Sequence, residues 1–124
     1  MIKYTSNELS IALQVVSSTI SKCEKMQPKF AEETSQHSLL RNRIKAMHIS
    51  KELINNSCEI KSYSKGELVD ALKPVDSIIS KCKSGQGKHD MEALQYKRFQ
   101  RIIDAMNIAK SLISEEISKR GQGL

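Results

Sequence analysis

The stretch of sequence that decides the fold occurs twice. Residues 44–54 read IKAMHISKELI, and residues 103–113, 59 positions later, read IDAMNIAKSLI. Upstream, residues 20–23 (ISKC) return at the same offset as residues 79–82. An internal repeat of this kind indicates that one supersecondary unit is used twice, so the predicted architecture follows from the repeat.

The repeat extends over most of the chain. Residues 4–60 align without a gap with residues 63–119, with about 22 identities in 57 positions. Each copy opens with a capping-box pattern, residues 5–8 (TSNE) in the first and residues 64–67 (SKGE) in the second. In this pattern a hydroxyl and a carboxylate accept hydrogen bonds from free backbone N–H groups at a helix start. We therefore predict that a helix begins at the same point of each copy.

Apolar residues at three- and four-residue spacing predict two amphipathic helices in each copy. In the first helices the apolar stripe consists of Leu9, Leu13, Val16, Ile20 and Cys23, and of Leu68, Leu72, Val75, Ile79 and Cys82. The second helices are expected over residues 30–58 and 89–118, after turn-forming stretches. Their buried faces carry Leu39 and the small residues Ala46, Ser50, Ala105 and Ala109, which allow close helix approach.

The linker near residues 59–63 is too short to cross a bundle, so consecutive helices are expected to be antiparallel neighbours. The sequence thus predicts an all-α fold, an antiparallel up-down-up-down four-helix bundle made of two tandem copies of a helical hairpin. A pseudo-twofold axis would relate the copies. We expect a single domain over residues 1–124, with repeats at 4–60 and 63–119 and a frayed tail at 120–124.

Composition limits the class of protein. The 124 residues carry a formal charge of +6, but 14 acidic residues are interspersed among 20 basic ones, unlike the one-sided basic block of a dedicated nucleic-acid binder. No apolar run approaches the roughly 20 residues of a membrane span, and the start lacks the apolar core of a secretory signal. Three cysteines without a CxxC pair do not indicate a disulfide framework. We expect a cytoplasmic protein with reduced thiols and no membrane partner.

Some polar residues fall on the predicted buried faces. Gln36 and Gln95 occupy equivalent positions, where they either share a hydrogen bond across the core or are partly exposed. Arg43, aligned with Ile102, either extends its head to solvent or pairs with an acidic residue. Cys58, aligned with an isoleucine, is expected to pack.

The residues typical of catalytic and metal centres do not assemble in the sequence. A carboxylate-bridged di-iron bundle needs Glu-x-x-His on two helices, and this pattern is missing from the chain. His89 falls in a turn and His48 is expected to face solvent, so the histidines do not converge. There is also no glycine-rich phosphate loop and no Gly-x-Ser-x-Gly. We therefore predict no enzymatic activity, no catalytic residue, no metal and no cofactor.

One pattern is typical of an enzyme family. Residues 41–48 read RNRIKAMH, in which His48 follows Arg43 after four residues. This resembles the Arg-x(4–6)-His signature of helical HEPN-type ribonucleases, in which the arginine and the histidine handle the phosphate and proton chemistry of RNA cleavage. The resemblance implies a ribonuclease that uses Arg43 and His48. The motif lies on the second helix rather than near the last, and Asn107 replaces the histidine in the second copy.

Lysines gather at the end of the predicted bundle that holds both hairpin turns. Lys25, Lys29, Lys83 and Lys88 are candidates for an anion-binding site there. The alternative is structural, because lysine near a helix C-terminus complements the helix dipole. An anion-binding end would make the chain a nucleic-acid-associated basic helical protein, with the HEPN-like ribonuclease as its enzymatic form.

The two copies differ on the outer face of the first helix. Ile11 and Val15 are expected to be exposed there, opposite the apolar stripe, whereas the second copy has Asp70 and Pro74. Our candidate partner-binding residues are Ile11, Val15, Arg43 and His48. The favoured function is a small non-enzymatic regulatory or protein-interaction module that binds another protein or a second copy of itself.

Overall fold

A computed structural model describes residues 4–122, and this part of the chain is all-helical, as predicted. The four α-helices are α1 (Ser6–Met26), α2 (Ser35–Ile54), α3 (Lys65–Gln86) and α4 (Leu94–Gln122). Short 3₁₀ helices, Gln27–Lys29 and Cys58–Ser62, follow α1 and α2. None of the helices described is long and apolar enough to cross a membrane.

Both predicted capping boxes are present. The Thr5 hydroxyl accepts the Glu8 N–H at 3.1 Å, and the Glu8 carboxylate accepts the Thr5 N–H at 2.9 Å. Ser64 and Glu67 make the same pair of hydrogen bonds at the start of α3. These bonds satisfy N–H groups that have no partner within the helix, and they fix where α1 and α3 begin.

The second helices begin later than predicted. α2 starts at Ser35 rather than near residue 30, because Thr34 is its N-cap and accepts the His37 N–H at 3.3 Å. α4 starts at Leu94 rather than near residue 89. Backbone bonds from Thr34 to Ala31 and from Ala93 to Asp90 close turns just before each helix. The polar residues that precede α2 and α4 therefore form turns, not first helical turns.

The ends of α2 and α4 also differ from the prediction. α2 stops at Ile54, before residue 58, because Asn56 adopts a positive φ of 54°. α4 runs beyond residue 118, so residues 120–122, which were expected to fray, are helical. Residues 123–124 of the predicted tail lie outside the described part of the chain.

All four α-helices and Ile60 contribute to one buried hydrophobic cluster. Its fully buried side chains include Val16, Met47, Ile49, Leu68, Val75, Met106 and Ile113. Backbones of α2 and α4 approach within 8 Å of each other, and these two helices carry the buried small residues predicted to permit this. No such close pair joins α1 to α3.

Several burial predictions are wrong. Val15, expected to be exposed, is only 8% exposed, and its counterpart Pro74 is also buried. The reason is that α1 and α3 each contact both α2 and α4, so each needs a second buried side beside its main stripe. On α2 the buried leucine is Leu40, while Leu39 is exposed. Cys58, expected to pack, is exposed.

Of the two alternatives for Gln36 and Gln95, the structure shows exposure of both side chains and not a shared hydrogen bond across the core. A different glutamine, Gln86, is buried at the end of α3. Its side-chain amide donates to Gln100 Oε1 at 2.8 Å and to the Tyr96 carbonyl at 3.2 Å. The buried amide therefore ties the end of α3 to the start of α4.

Candidate docking groove between α1 and α4

An open cavity of about 770 Å³ lies between α1 and α4. Its apolar lining residues include Ile11 and Ala12 on α1 and Ala105 and Ile108 on α4, and of these only Ile11 is exposed. Ile11 is 36% exposed there, and Met91, from the turn before α4, is 71% exposed at the edge. Apolar side chains thus remain in contact with water along this part of the molecule.

A second cavity of about 490 Å³ continues between the same two helices. Its lining includes Val15 and Thr19 of α1 and Phe99 of α4. Arg101 lines both cavities, and its Nη2 donates to Gln14 Oε1 at 2.6 Å, which joins α4 to α1 between them. We call the two cavities together the α1–α4 groove.

The groove carries more positive than negative charge. Four basic side chains line it: Lys22, Lys97, Arg98 and Arg101. Its two acidic side chains already accept hydrogen bonds, Glu8 from the Thr5 backbone and Asp104 from the Gln100 amide at 2.8 Å. Within residues 4–122 the ion pairs involve Lys45, Lys110, Lys119 and Arg120, and none of the four groove cations.

A smaller and more polar cavity, of about 260 Å³, lies between α2 and α3. Lys45 Nζ and Glu67 Oε2 form an ion pair 2.6 Å apart at this α2–α3 cavity. The hydrogen bond from Lys45 is the main cause that holds the pKa of Glu67 below its ordinary value. In the repeat alignment, Lys45 and Glu67 correspond to Asp104 and Glu8 of the α1–α4 groove.

The α2–α3 cavity and the α1–α4 groove are therefore built from aligned residues with different chemistry. An ion pair joins the helices at the first, whereas two carboxylates occupy the same positions at the second. Asp70 at the first aligns with Ile11 at the second. The α1–α4 groove therefore lacks the ion pair and has an exposed isoleucine in its wall.

The predicted partner-binding residues fall in two places. Ile11 and Val15 line the α1–α4 groove, although Val15 is buried in its wall. Arg43 lies on α2, half-buried, where Nη2 donates to the Ser77 hydroxyl at 3.3 Å rather than to a carboxylate. His48, which was expected to face solvent, is partly exposed. The four residues do not form one surface.

The ribonuclease resemblance rests on Arg43 and His48. Five positions along an α-helix correspond to a rotation of about 140°, so the two side chains leave α2 in different directions. Arg43 is directed to Ser77 on α3, and its Nε is buried with no hydrogen-bond partner among the described residues. Neither residue lines the α1–α4 groove or the α2–α3 cavity.

Cys23 and Cys82 are both buried, and burial raises the pKa of each thiol, while the positive charge of Arg43 partly opposes the increase. They cannot form a disulfide with each other in this fold. Bridged cysteines need Cα atoms less than about 7 Å apart, and no Cα pair from α1 and α3 lies within 8 Å. Their place in the core supports the predicted packing role.

The candidate anion-binding lysines are all exposed. Lys25 and Lys83 lie in the last turns of α1 and α3, where their charge complements the helix dipole. Lys29 ends the 3₁₀ helix, and Lys88 follows α3. Among the described residues, no group of three or more His, Cys, Asp and Glu side chains is placed to hold a metal ion.

Sequence reasoning missed most of the α1–α4 groove. Its polar bridge, Arg101 to Gln14, joins residues 87 positions apart, which helical periodicity cannot pair. The available signal was the replacement of Lys45 by Asp104 in the repeat alignment, which removes one partner of an ion pair.

Comparison of the chain with protein-family models, with curated proteins and with solved structures finds no match.

Proposed function

We propose that this protein is a non-enzymatic interaction module that holds an apolar segment of a partner protein in the α1–α4 groove. The observation that carries the proposal is the open groove itself, about 770 Å³ in its larger cavity, with a half-exposed Ile11 in its wall. Each leucine-sized side chain buried there would contribute about 1.5–3 kcal/mol to binding.

The contrast with the α2–α3 cavity supports a binding role. A bundle whose only requirement was stability would be expected to keep the ion pair in both places, or to fill both with apolar side chains. Instead two acidic residues, Glu8 and Asp104, line the groove at the positions of the pair, and no ion pair joins α1 to α4 among the described residues. An open groove with apolar walls is the arrangement that an apolar segment of another protein fits.

We also infer the antiparallel up-down-up-down arrangement and the tandem repeat. At one end of the helix pair, Gln86 of α3 bonds to residues near the start of α4. At the other end, Arg120 of α4 bonds to Ile60 and Tyr63, just before α3. Between them Lys110 pairs with Asp76 at 2.8 Å. These contacts support antiparallel α3 and α4.

The tandem repeat is supported by burial at aligned positions. Aligned pairs buried in both copies include Ala12 and Ala71, Val16 and Val75, Ile20 and Ile79, Cys23 and Cys82, Ala46 and Ala105, and Met47 and Met106. The α1–α4 groove and the α2–α3 cavity also use aligned residues. A pseudo-twofold axis would relate them, which explains why they can be compared residue by residue.

Site-specific photocrosslinking tests the proposal. A photoreactive residue in place of Ile11 should capture one protein in stoichiometric amount, and the same residue in place of Val69 should not. Val69 is a suitable control because it is an exposed aliphatic residue on α3, 47% exposed. Capture of a second copy would identify the partner as the chain itself. Capture of nothing, of many proteins equally, or of RNA instead would contradict the proposal.

A charge substitution provides an independent test. Asp104→Lys recreates the Lys45–Glu67 arrangement between α4 and α1, so it should raise the melting temperature while it weakens partner binding. Damage to the fold would instead lower the melting temperature together with partner binding. Glu59→Lys, which makes the same charge change in the exposed linker, is the control and should leave binding unchanged. Stronger partner binding by Asp104→Lys would contradict the proposal.

A further inference from the structure

The charges that line the α1–α4 groove are separated along its length. The second cavity has Lys22 and Arg98 but no acidic residue, and it meets the first cavity at Arg101. The first cavity holds both acidic residues, Glu8 and Asp104. Along α4 the cations at positions 97, 98 and 101 all precede Asp104, and along α1 the acidic Glu8 precedes Lys22. In the inferred up-down-up-down arrangement α1 and α4 are antiparallel, so one end of the groove is cationic and the other contains the carboxylates.

The cations of the groove are available to a ligand. None of them forms an ion pair within residues 4–122. Among these four cations, only Arg101 donates a side-chain hydrogen bond within residues 4–122, and its acceptor is the neutral Gln14 amide. A charged carboxylate is a stronger acceptor for a guanidinium than an amide oxygen, so an incoming carboxylate can replace Gln14.

The carboxylates at the other end favour a cation. Glu67, which corresponds to Glu8, binds the Lys45 ammonium in the α2–α3 cavity at 2.6 Å. In the groove the residue that corresponds to Lys45 is Asp104, and Lys97, which lines the same cavity, forms no ion pair within residues 4–122. A basic side chain from a ligand would occupy the place that Lys45 takes in the α2–α3 cavity.

Resting on the proposed function, we propose that the segment bound in the α1–α4 groove is a charge-polarised amphipathic helix. Its apolar face contacts Ile11 and Ile108. Its acidic end lies over Arg101, Arg98 and Lys22, and its basic end lies over Glu8 and Asp104. Since a helix rises 1.5 Å per residue, Glu8 and Lys22 are about 21 Å apart along α1, which about 14 residues of the bound helix would span.

A displayed peptide library tests this inference. Each member carries a fixed leucine stripe at helical spacing, and its polar positions vary among Glu, Lys and Gln. The library is selected on the wild-type protein and counter-selected on Ile11→Glu, with Val69→Glu as the matched control. We expect the peptides that depend on Ile11 to be enriched in Glu at one end and in Lys at the other.

The best enriched peptide is then measured by fluorescence anisotropy. Arg101→Glu should weaken its binding about tenfold or more at low salt, because a paired charge is replaced by a repelling one. Lys73→Glu, an equal charge change on the exposed side of α3, should leave the affinity within about twofold. A peptide with Glu and Lys exchanged end for end should bind more weakly to the wild type and regain affinity for Arg101→Glu.

The outcomes separate this inference from the proposed function. Peptides that need Ile11 but show no charge polarity would overturn the inference and leave the proposed function in place. Peptides that are acidic along their whole length would also overturn it. If no selected peptide depends on Ile11, both are wrong. Binding of a 20-nucleotide single-stranded RNA that depends on Arg101, with no enriched peptide, would identify the groove as a nucleic-acid site and overturn both.

Discussion

The Phe99 ring packs directly against Gly85 of α3. A Cβ at Gly85 would lie 2.6 Å from Cζ of the Phe99 ring, closer than real contacts allow. The aligned residues in the first copy are Met26 and Leu40. The first copy thus has a larger residue where the second has Gly85, and a smaller one where the second has Phe99.

We predict that Gly85→Ala lowers the free energy of unfolding by about 1–3 kcal/mol, since the added methyl displaces a packed ring. Gly66→Ala is the control, because its Cβ would meet nothing closer than 3.8 Å and alanine favours helix. Chemical denaturation measures both variants. Adding Phe99→Leu to Gly85→Ala should recover part of the loss, and an unchanged stability of Gly85→Ala alone would contradict this account.

The three thiols should react at different rates. Cys58 is exposed, whereas Cys23 and Cys82 are buried and their pKa is raised by burial. Because the thiolate is the reactive form, a raised pKa slows reaction at neutral pH in addition to the loss of access. We predict that a thiol reagent modifies one cysteine per chain rapidly in the native state and three in denaturant. Loss of the rapid phase in Cys58→Ser checks the assignment.

At the scale of one element, the backbone conformation after Ile54 ends α2 and explains why α2 is shorter than α4. The Ser57 N–H bonds to the Glu52 carbonyl at 2.9 Å, and the Asn56 N–H bonds to the Leu53 carbonyl at 3.1 Å. With Asn56 at positive φ, these are the two hydrogen bonds of a Schellman motif. The aligned residue in α4 is Glu115, which continues the helix to Gln122.

We predict that Asn56→Glu destabilises the protein by about 1–2 kcal/mol, because glutamate is strained at positive φ. Asn56→Gly should be neutral or slightly stabilising, since glycine adopts this conformation without strain. Thermal unfolding of the two variants measures the difference. Equal melting temperatures would show that Asn56 does not decide where α2 ends.

At the scale of the whole molecule, Arg120 joins the end of α4 to the linker between the two copies. Its guanidinium donates to the Tyr63 carbonyl at 2.7 Å, to the Ile60 carbonyl at 2.9 Å and to the Glu116 carboxylate at 2.9 Å. Arg120 and Glu116 form an ion pair in which both side chains are largely buried, whereas the neighbouring pair of Lys119 and Glu115 is more exposed. Arg120 therefore supplies a donor to the Tyr63 carbonyl and a second donor to the Ile60 carbonyl, which also accepts the Tyr63 N–H at 3.2 Å.

We predict that Arg120→Ala lowers the free energy of unfolding by about 2 kcal/mol or more, because it removes the donor to the Tyr63 carbonyl and the Glu116 carboxylate and one of two donors to the Ile60 carbonyl. Lys119→Ala is the control, and it should change stability by less than about 0.5 kcal/mol because its ion pair is exposed. Urea denaturation separates the two. A larger effect at Lys119 would contradict the role of Arg120.

The sequence by itself determined the parts of the fold that depend on nearby residues. The apolar stripes, both capping boxes and the buried core positions Met47 and Met106 were all predicted, because helical spacing and cap bonds act within one or two turns. Helix ends were less well predicted, since the stop at Asn56 depends on a backbone conformation that several residues can adopt.

Only the tertiary structure decided which helices bury a second side and where a groove stays open. Val15 is buried because α1 packs against two neighbours, and a single helix does not encode how many neighbours it has. The α1–α4 groove depends on the hydrogen bond from Arg101 to Gln14 and on Glu8 and Asp104, which line one cavity from helices far apart in the chain. Periodicity predicts one buried face, whereas charge and shape between helices depend on long-range pairing.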